Sequence, residues 1–237
     1  MLYIMIKSLI FYILLFLWTI IAGIVFLPFL ILPKRMLYRP AYIWIQGILI
    51  LLNAICGLTY NIKGEQFINV SETRIIASKH QSAFETLLLF FLIPNAIFIH
   101  KYELFFIPIF GLYLKKIDMI SINRSEGVKA LKKMILKSKQ KTEKGCSLII
   151  FPEGTRKLPG SKPDYKSGIA GIYSDLNTKV LPVALNSGLF WPKNSFIIKS
   201  GKITIEFLSP IQKKLSKEIF LETLKDKIET KTNSLII

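Results

Sequence analysis

The chain has 237 residues, 51% of them hydrophobic, with a mean hydropathy of +0.45 and 32 Lys and Arg against 15 Asp and Glu. That length suits one domain with a sizeable core and some extra chain at one end. Cys56 and Cys146 give no disulfide framework, and His80 and His100 lack clustered acid or thiol partners, so no metal site is expected and a reducing compartment is the default.

The charge is unevenly spread. Residues 1–60 carry Lys7, Lys34, Arg35 and Arg39 and no acid, which leaves 28 basic and 15 acidic groups for residues 61–237. A body that basic favours anionic partners: phospholipid headgroups, nucleic acid or an acidic carrier protein. Because 27 of the 32 basic residues are Lys, a Lys-rich coding bias accounts for the same surplus.

From Ser8 to Pro33 the chain is uncharged, SLIFYILLFLWTIIAGIVFLPFLILP, longer than the roughly 20 residues that cross a bilayer core. It is too long and too aromatic for a cleavable signal peptide. A second uncharged stretch, Ala41 to Tyr60, contains Gln46, Gly47, Asn53 and Gly57 and is the weaker spanning candidate. The basic cluster from Lys34 to Arg39 favours the cytoplasmic side for the connecting loop. Residues 1–60 are therefore expected to anchor the chain, and residues 61–237 to form one domain.

Beyond Thr59, short β-branched runs alternate with longer helical ones. Strands are expected at 74–78 (RIIAS), 96–100 (AIFIH), 119–123 (MISIN), 147–151 (SLIIF), 180–185, 196–199 and 203–207. Helices are expected at 86–93, stopped by Pro94-Asn95; at 103–115, with Pro108 inside; from a Ser125 cap to about Lys144, ended by Gly145; and at 216–231. Such alternation indicates an α/β domain with a central, largely parallel sheet flanked by helices. Active residues in such sheets gather on loops beyond the carboxyl ends of the strands.

Three of those loops hold unusual polar residues. The first is Ser78-Lys79-His80-Gln81-Ser82-Ala83-Phe84-Glu85, between RIIAS and an apolar helix. On an ideal helix, positions i and i+5 lie about 140° apart. His80 should therefore sit in the strand-to-helix turn, with Glu85 on the first helical turn reaching back to one ring nitrogen. The other nitrogen then stays free for general-base work, which suits imidazole at neutral pH. The bland alternative is a capped turn with a chance surface pair, with Ser82 as the cap. The second loop begins at Arg124, directly after MISIN, which read alone is as readily a structural salt bridge. The third is Phe151-Pro152-Glu153-Gly154-Thr155-Arg156, directly after SLIIF. Backbone N–H groups around Gly154, the Thr155 hydroxyl and the Arg156 guanidinium together can hold a phosphate monoester.

This combination resembles the glycerolipid acyltransferases, and among them the lysophosphatidic acid acyltransferases. Their first motif, His-x4-Asp, resembles His80-Gln81-Ser82-Ala83-Phe84-Glu85, with Glu in place of Asp. Their second ends in an Arg, matched by Arg124; here Asn123 stands where an acid is frequent. The third is matched by Phe151 to Arg156, and the fourth, a hydrophobic strand with Pro, resembles Val180-Leu181-Pro182-Val183-Ala184-Leu185-Asn186-Ser187-Gly188. Order and spacing fit over roughly residues 60–210.

The resemblance implies a membrane enzyme with its catalytic domain facing the cytoplasm, passing a fatty acyl chain from acyl-CoA or acyl-carrier protein to lysophosphatidic acid, with no cofactor, metal or nucleic acid. His80 and Glu85 would be catalytic. Arg124, Glu153, Gly154, Thr155 and Arg156 would bind the acceptor, the arginines its phosphate and Glu153 and Gly154 its glycerol. A second crossing would carry the domain away from cytosolic thioesters, so the 41–60 stretch is expected to lie on the membrane or pack against the domain. Rival readings are another acceptor (glycerol 3-phosphate or a lyso-aminolipid), a non-enzymatic anionic-lipid-binding protein, or a hydrolase; the last lacks a G-x-S-x-G elbow.

Overall fold

The computed structural model describes residues 1–69 and 75–236, and of Arg124 the backbone alone. Helix α1 (Leu2–Val25) and helix α2 (Tyr38–Leu51) form a helical hairpin. The Trp18 indole donates to the Trp44 carbonyl (2.9 Å) and the Trp44 indole to Thr19 Oγ1 (3.2 Å). Both rods, Leu2–Val25 and Lys34–Cys56, are long and apolar enough to cross a membrane. Most of α1 faces away from the rest of the chain, exposing Leu9, Ile13, Phe16, Leu17, Ile20, Ile21 and Ile24. So much outward apolar surface on one helix suits contact with lipid or another apolar partner.

The hairpin is also packed on the domain. Tyr38 and Tyr42 of α2 meet Phe90 and Phe91, and the Tyr38 hydroxyl donates to the Ala96 carbonyl (3.3 Å). Phe11, Leu37, Ile45, Ile48, Leu52 and Cys56 belong to the same buried cluster as the sheet. The second rod is shorter than the apolar stretch in the sequence. It ends at Gly57, left-handed at φ +65°, and strand β1 (Leu58–Lys63) starts at once. Residues 58–60, expected in the anchor, are the first half of a strand.

After the undescribed residues come strand β2 (Ile75–Ser78), helix α3 (Phe84–Leu92), strand β3 (Ala96–Lys101), helix α4 (Phe110–Ile117), strand β4 (Ile120–Ile122), helix α5 (Val128–Glu143) and strand β5 (Ser147–Ile150). Helix α6 (Gly168–Leu176), strand β6 (Val180–Leu185), strand β7 (Gly201–Phe207) and helix α7 (Lys217–Ser234) complete the chain. The described strands form one seven-stranded sheet in the order β1-β7-β6-β2-β5-β3-β4. Every pair is parallel except β6 with β7. The mixed, mostly parallel α/β architecture is the expected one. Strands β2, β5 and β6 are buried along their whole length and read as continuous apolar runs.

Several expected elements differ. The 103–115 helix is broken: Tyr102–Phe106 is a 3-10 turn, Ile109 sits at φ +64°, and only Phe110–Ile117 is α-helical. Pro108 supplies no N–H and disfavours helical geometry before it. Ser125 does not cap α5; Arg124–Glu126 is a 3-10 turn, Gly127 precedes the helix, and Ser125 bonds to Asn123 Oδ1 (2.7 Å). Residues 196–199 are not a strand; the Ile198 amide donates to Ser8 Oγ of α1 instead (2.9 Å). Arg74 lies outside the described residues.

Because β6, β2 and β5 are neighbours and parallel, their carboxyl ends open side by side. The loops 79–83, 151–167 and 186–189 meet there.

Candidate active site

The turn after β2 is built by Glu85. Its Oε1 accepts from the Gln81 and Ser82 amides (both 2.7 Å), and Ser82 Oγ accepts from the Phe84 amide (3.2 Å). Only the acid half of a capping box is present: Glu85 reaches back to the Ser82 amide, but Ser82 Oγ serves the Phe84 amide rather than that of Glu85, and α3 starts after Ala83 without a side-chain cap, so the expected Ser82 cap is not formed. The same Oε1 lies 2.9 Å from His80 Nδ1, and Ser187 Oγ donates to Oε2 at 2.7 Å. Glu85 is fully buried and the His80 side chain 16% exposed. The turn and the imidazole–carboxylate pair are thus one object: the carboxylate that gathers the turn's amides also holds the ring.

Phe151 lies against the other surface of that ring, its centroid 3.9 Å away and its plane tilted by 14°. With Nδ1 turned to a buried carboxylate and a phenyl ring on one face, the imidazole has one edge left for chemistry, at Nε2. Nδ1 as donor and Nε2 as acceptor is the tautomer that a general base requires.

The loop after β5 closes around the same turn. The Lys157 amide donates to the His80 carbonyl (2.8 Å), so Arg156 sits next to the His80 turn. The Arg156 guanidinium is half-buried and makes no hydrogen bond or ion pair with the described residues. Beside this loop, Tyr12 of α1 accepts from the Trp191 indole (3.0 Å). Lys193 donates to Thr155 Oγ1 (3.3 Å), placing a second cation beside Arg156. Gly154 turns at φ +64°, a conformation that costs glycine little.

Glu153 departs from its expected role toward the acceptor's glycerol. Its side chain is fully buried, Oε1 accepting from Lys79 Nζ (2.8 Å) and Oε2 from the His80 amide (3.1 Å). Both oxygens are committed to holding the turn. Burial pushes its carboxyl up, and the Lys79 ammonium and the His80 amide pull it back down. Lys79 Nζ, equally buried, also donates to both oxygens of Glu229 on α7 (2.8 and 2.9 Å). The Tyr165 hydroxyl donates to Glu229 Oε1 (2.9 Å); burial and that carboxylate hold its own pKa well above the usual phenol range.

Arg124 stands apart from this group. Its backbone follows β4, and β5 and β3 lie between β4 and β2. At about 4.8 Å per strand that is roughly 14 Å along the sheet. Its side chain lies outside the described residues.

His80, Glu85, Glu153, Thr155 and Arg156 therefore converge at the ends of β2 and β5. Lys79, Phe151 and Ser187, which the sequence placed in motifs without giving them a role, join them, as do Lys193 and Glu229, which lie in no motif. Among the described residues no group of His, Cys, Asp and Glu could hold a metal.

A family model described as Acyltransferase matches residues 59–186, from β1 through β6 and the whole of the site just described except Ser187, Lys193 and Glu229. This chain belongs to the acyltransferase family. It is 33% identical over 177 residues to a 1-acyl-sn-glycerol-3-phosphate acyltransferase of Pseudomonas aeruginosa, covering 74% of this chain and 68% of that one. It is 32% identical to a protein of the same name from Cocos nucifera, covering 67% of this chain and 51% of that one, so the chain spans about half the coconut protein. In fold it is similar to the crystal structure of the 1-acyl-sn-glycerophosphate acyltransferase PlsC from Thermotoga maritima, with TM-score 0.80, 20% identity, and 98% and 97% of the two chains covered. That likeness extends over the N-terminal hairpin as well as the sheet. The acyltransferase is an enzyme with an apolar helical hairpin beside its catalytic sheet, which supports association with a membrane.

Proposed function

We propose that this acyltransferase moves a fatty acyl chain from a thioester, acyl-CoA or acyl-carrier protein, to the 2-hydroxyl of 1-acyl-sn-glycerol 3-phosphate. The product is phosphatidic acid, made at the cytoplasmic face of a membrane for phospholipid biosynthesis. The observation that carries the chemistry is the 2.9 Å contact between His80 Nδ1 and the buried Glu85 carboxylate. The acceptor is supported by the names of the Pseudomonas and coconut relatives and by the uncommitted Arg156 beside Lys193.

The acceptor enters from the lipid side, along the apolar hairpin. Arg156 grips the phosphate, with Thr155 and Gly154 as further contacts. His80 Nε2 takes the proton of the 2-hydroxyl, and Glu85 stabilises the resulting imidazolium through Nδ1–H. The hydroxyl oxygen attacks the thioester carbonyl carbon. As the tetrahedral intermediate collapses, the C–S bond breaks and the thiolate takes the proton back from His80, leaving an ester and a thiol. The substrate is its own nucleophile, so neither Ser82, whose Oγ accepts from the Phe84 amide, nor Cys146 has a covalent role. A positioned base of this kind supplies on the order of 10²–10⁴-fold in rate.

Thiol release tests the proposal: purified enzyme in detergent with 1-acyl-sn-glycerol 3-phosphate, each donor in turn, in wild type and His80→Ala. Turnover that requires the phosphorylated acceptor and vanishes in His80→Ala is expected. Near-normal turnover in a folded His80→Ala protein, or equal rates with phosphate-free acceptors, would overturn it.

A further inference from the structure

Lys79 is a buried cation that the reaction does not use. It is 2% exposed, lies next to the base, and has all three ammonium protons engaged: one on Glu153 and two on Glu229. Its partners come from opposite ends of the fold. Glu153 is in the loop after β5, whereas Glu229 is on α7, 150 positions from Lys79 in sequence. Glu153 then spends its second oxygen on the His80 amide (3.1 Å). An unbroken chain of contacts therefore runs from the C-terminal helix through an ammonium and a carboxylate to the backbone of the general base.

We infer that Glu229 is a positioning residue for catalysis, setting the place of His80 through Lys79 and Glu153. The inference rests on His80 acting as the base. The geometry explains why the link has to be rigid. Phe151 and Glu85 fix the plane of the imidazole, but Phe151 starts the β5 loop and Glu85 sits on the first turn of α3, beyond the β2 loop that carries His80. Glu229 ties both loops to one helix: it holds the β2 loop through Lys79 and the β5 loop through the Tyr165 hydroxyl (2.9 Å). Helix α7 is itself seated on the sheet by Phe220, Leu224 and Ile228, all fully buried, so it is a fixed reference. Loss of the Glu229 charge leaves Lys79 with one carboxylate for three protons. The ammonium then competes for Glu153, at the expense of the His80 amide. Displacements near 1 Å at a reacting centre cost up to roughly a hundredfold in rate.

The test is steady-state thiol release by Glu229→Gln, Lys79→Met, the double variant and His80→Ala, with Glu222→Gln, an exposed acid on the same helix, as the control for helix charge. Gln keeps the Tyr165 contact and the side-chain volume, so the fold should survive; melting temperature is recorded for each protein. Glu229→Gln should lower kcat roughly 10- to 100-fold, with KM for the acceptor nearly unchanged and the melting temperature within a few degrees of wild type. Glu222→Gln should match wild type. In the Lys79→Met background the additional Glu229→Gln change should cost little, because the two act as one unit. Should Glu229→Gln keep wild-type kcat, or lose activity only in step with melting temperature, the inference fails. Activity in His80→Ala would instead defeat the assignment of the base, whatever Glu229 does.

Discussion

Phe151 and His80 are stacked face to face, their centroids 3.9 Å apart and their planes within 14°. Phe98 stacks on Phe151 in turn (5.8 Å, 15°), so the imidazole ends a column of rings that rises from β3. The column leaves the ring free to slide but not to tilt. Phe151→Ala should lower kcat by roughly tenfold, with little change in the KM of either substrate, because a free rotor spends less time aligned. Phe151→Tyr should retain most activity. A KM-only effect in the alanine variant would remove the orienting role.

Glu85 collects the His80 ring, two amides and the Ser187 hydroxyl on two oxygens. Glu85→Gln leaves an amide that can still accept from the turn but carries no charge to stabilise an imidazolium. Activity should fall by roughly 10²–10⁴-fold. Glu85→Asp keeps the charge, loses a methylene of reach, and should retain partial activity. Parallel rate measurements on the two variants separate charge from reach, and equal losses would show that charge is not what matters.

Ser187→Ala removes a 2.7 Å hydrogen bond to a fully buried carboxylate. Bonds to charged groups contribute about 1.5–3 kcal/mol, and for a chain of this size each kcal/mol shifts melting by about 2–4 °C. Differential scanning of the variant should show a drop of that order. A melting curve coincident with wild type would mean that the hydroxyl is replaceable by solvent.

Arg156→Ala should raise the apparent KM for a phosphorylated acceptor by tenfold or more, the order of one lost charge-assisted bidentate contact. It should leave the KM for the acyl donor alone. An effect confined to the donor would reassign this guanidinium to the thioester side.

Gly47 of α2 packs directly against the Trp18 ring of α1. A Cβ there would lie 2.4 Å from the Trp18 ring, which its hydrogen bond to Trp44 holds in place. Gly47→Leu should force the hairpin apart at a cost of about 1–3 kcal/mol. Melting in detergent should fall by several degrees, read by circular dichroism; an unchanged curve would show that Trp18 moves freely.

What could be read in advance follows the distance over which each feature is encoded. The His80–Glu85 pair spans five positions and the 151–156 turn six, each bounded by an apolar strand, so both stood out before any pairing was known. Lys79, Ser187 and Glu229 could not, because their value depends on β6, β2 and β5 being neighbours and on α7 lying across them. Alternation of strands and helices fixes neither order nor docking. Glu229 sits in a helix of mixed charges (KEIFLETLKDKIETKTNS), where an acid reads as a solvated face. Glu153 shows the opposite error. Its motif marked it as important, but only the geometry shows that its carboxylate faces inward to Lys79 and the His80 amide.

Strand β1 and helix α6 were missed for separate reasons. Leu58–Tyr60 continues an apolar run without a charge to break it, and short apolar runs do not reveal their period. Gly168 and Gly171 weaken α6 as a helix by propensity. They serve close packing instead: a Cβ on Gly171 would come within 2.9 Å of Ile135 on α5.

A single residue, Gly57, separates the apolar rod from β1, and the Gly57 carbonyl already accepts from the Gly201 amide (3.0 Å) at the start of β7. There is no tether at that junction to swing on. Under the proposed function, with the hairpin in lipid, the depth at which it settles sets the height of the imidazole above the acyl chains, like a gauge cut to one length. Lengthening the chain at Gly57 would then move the mouth of the site relative to the headgroups without altering an atom of the His80–Glu85 pair.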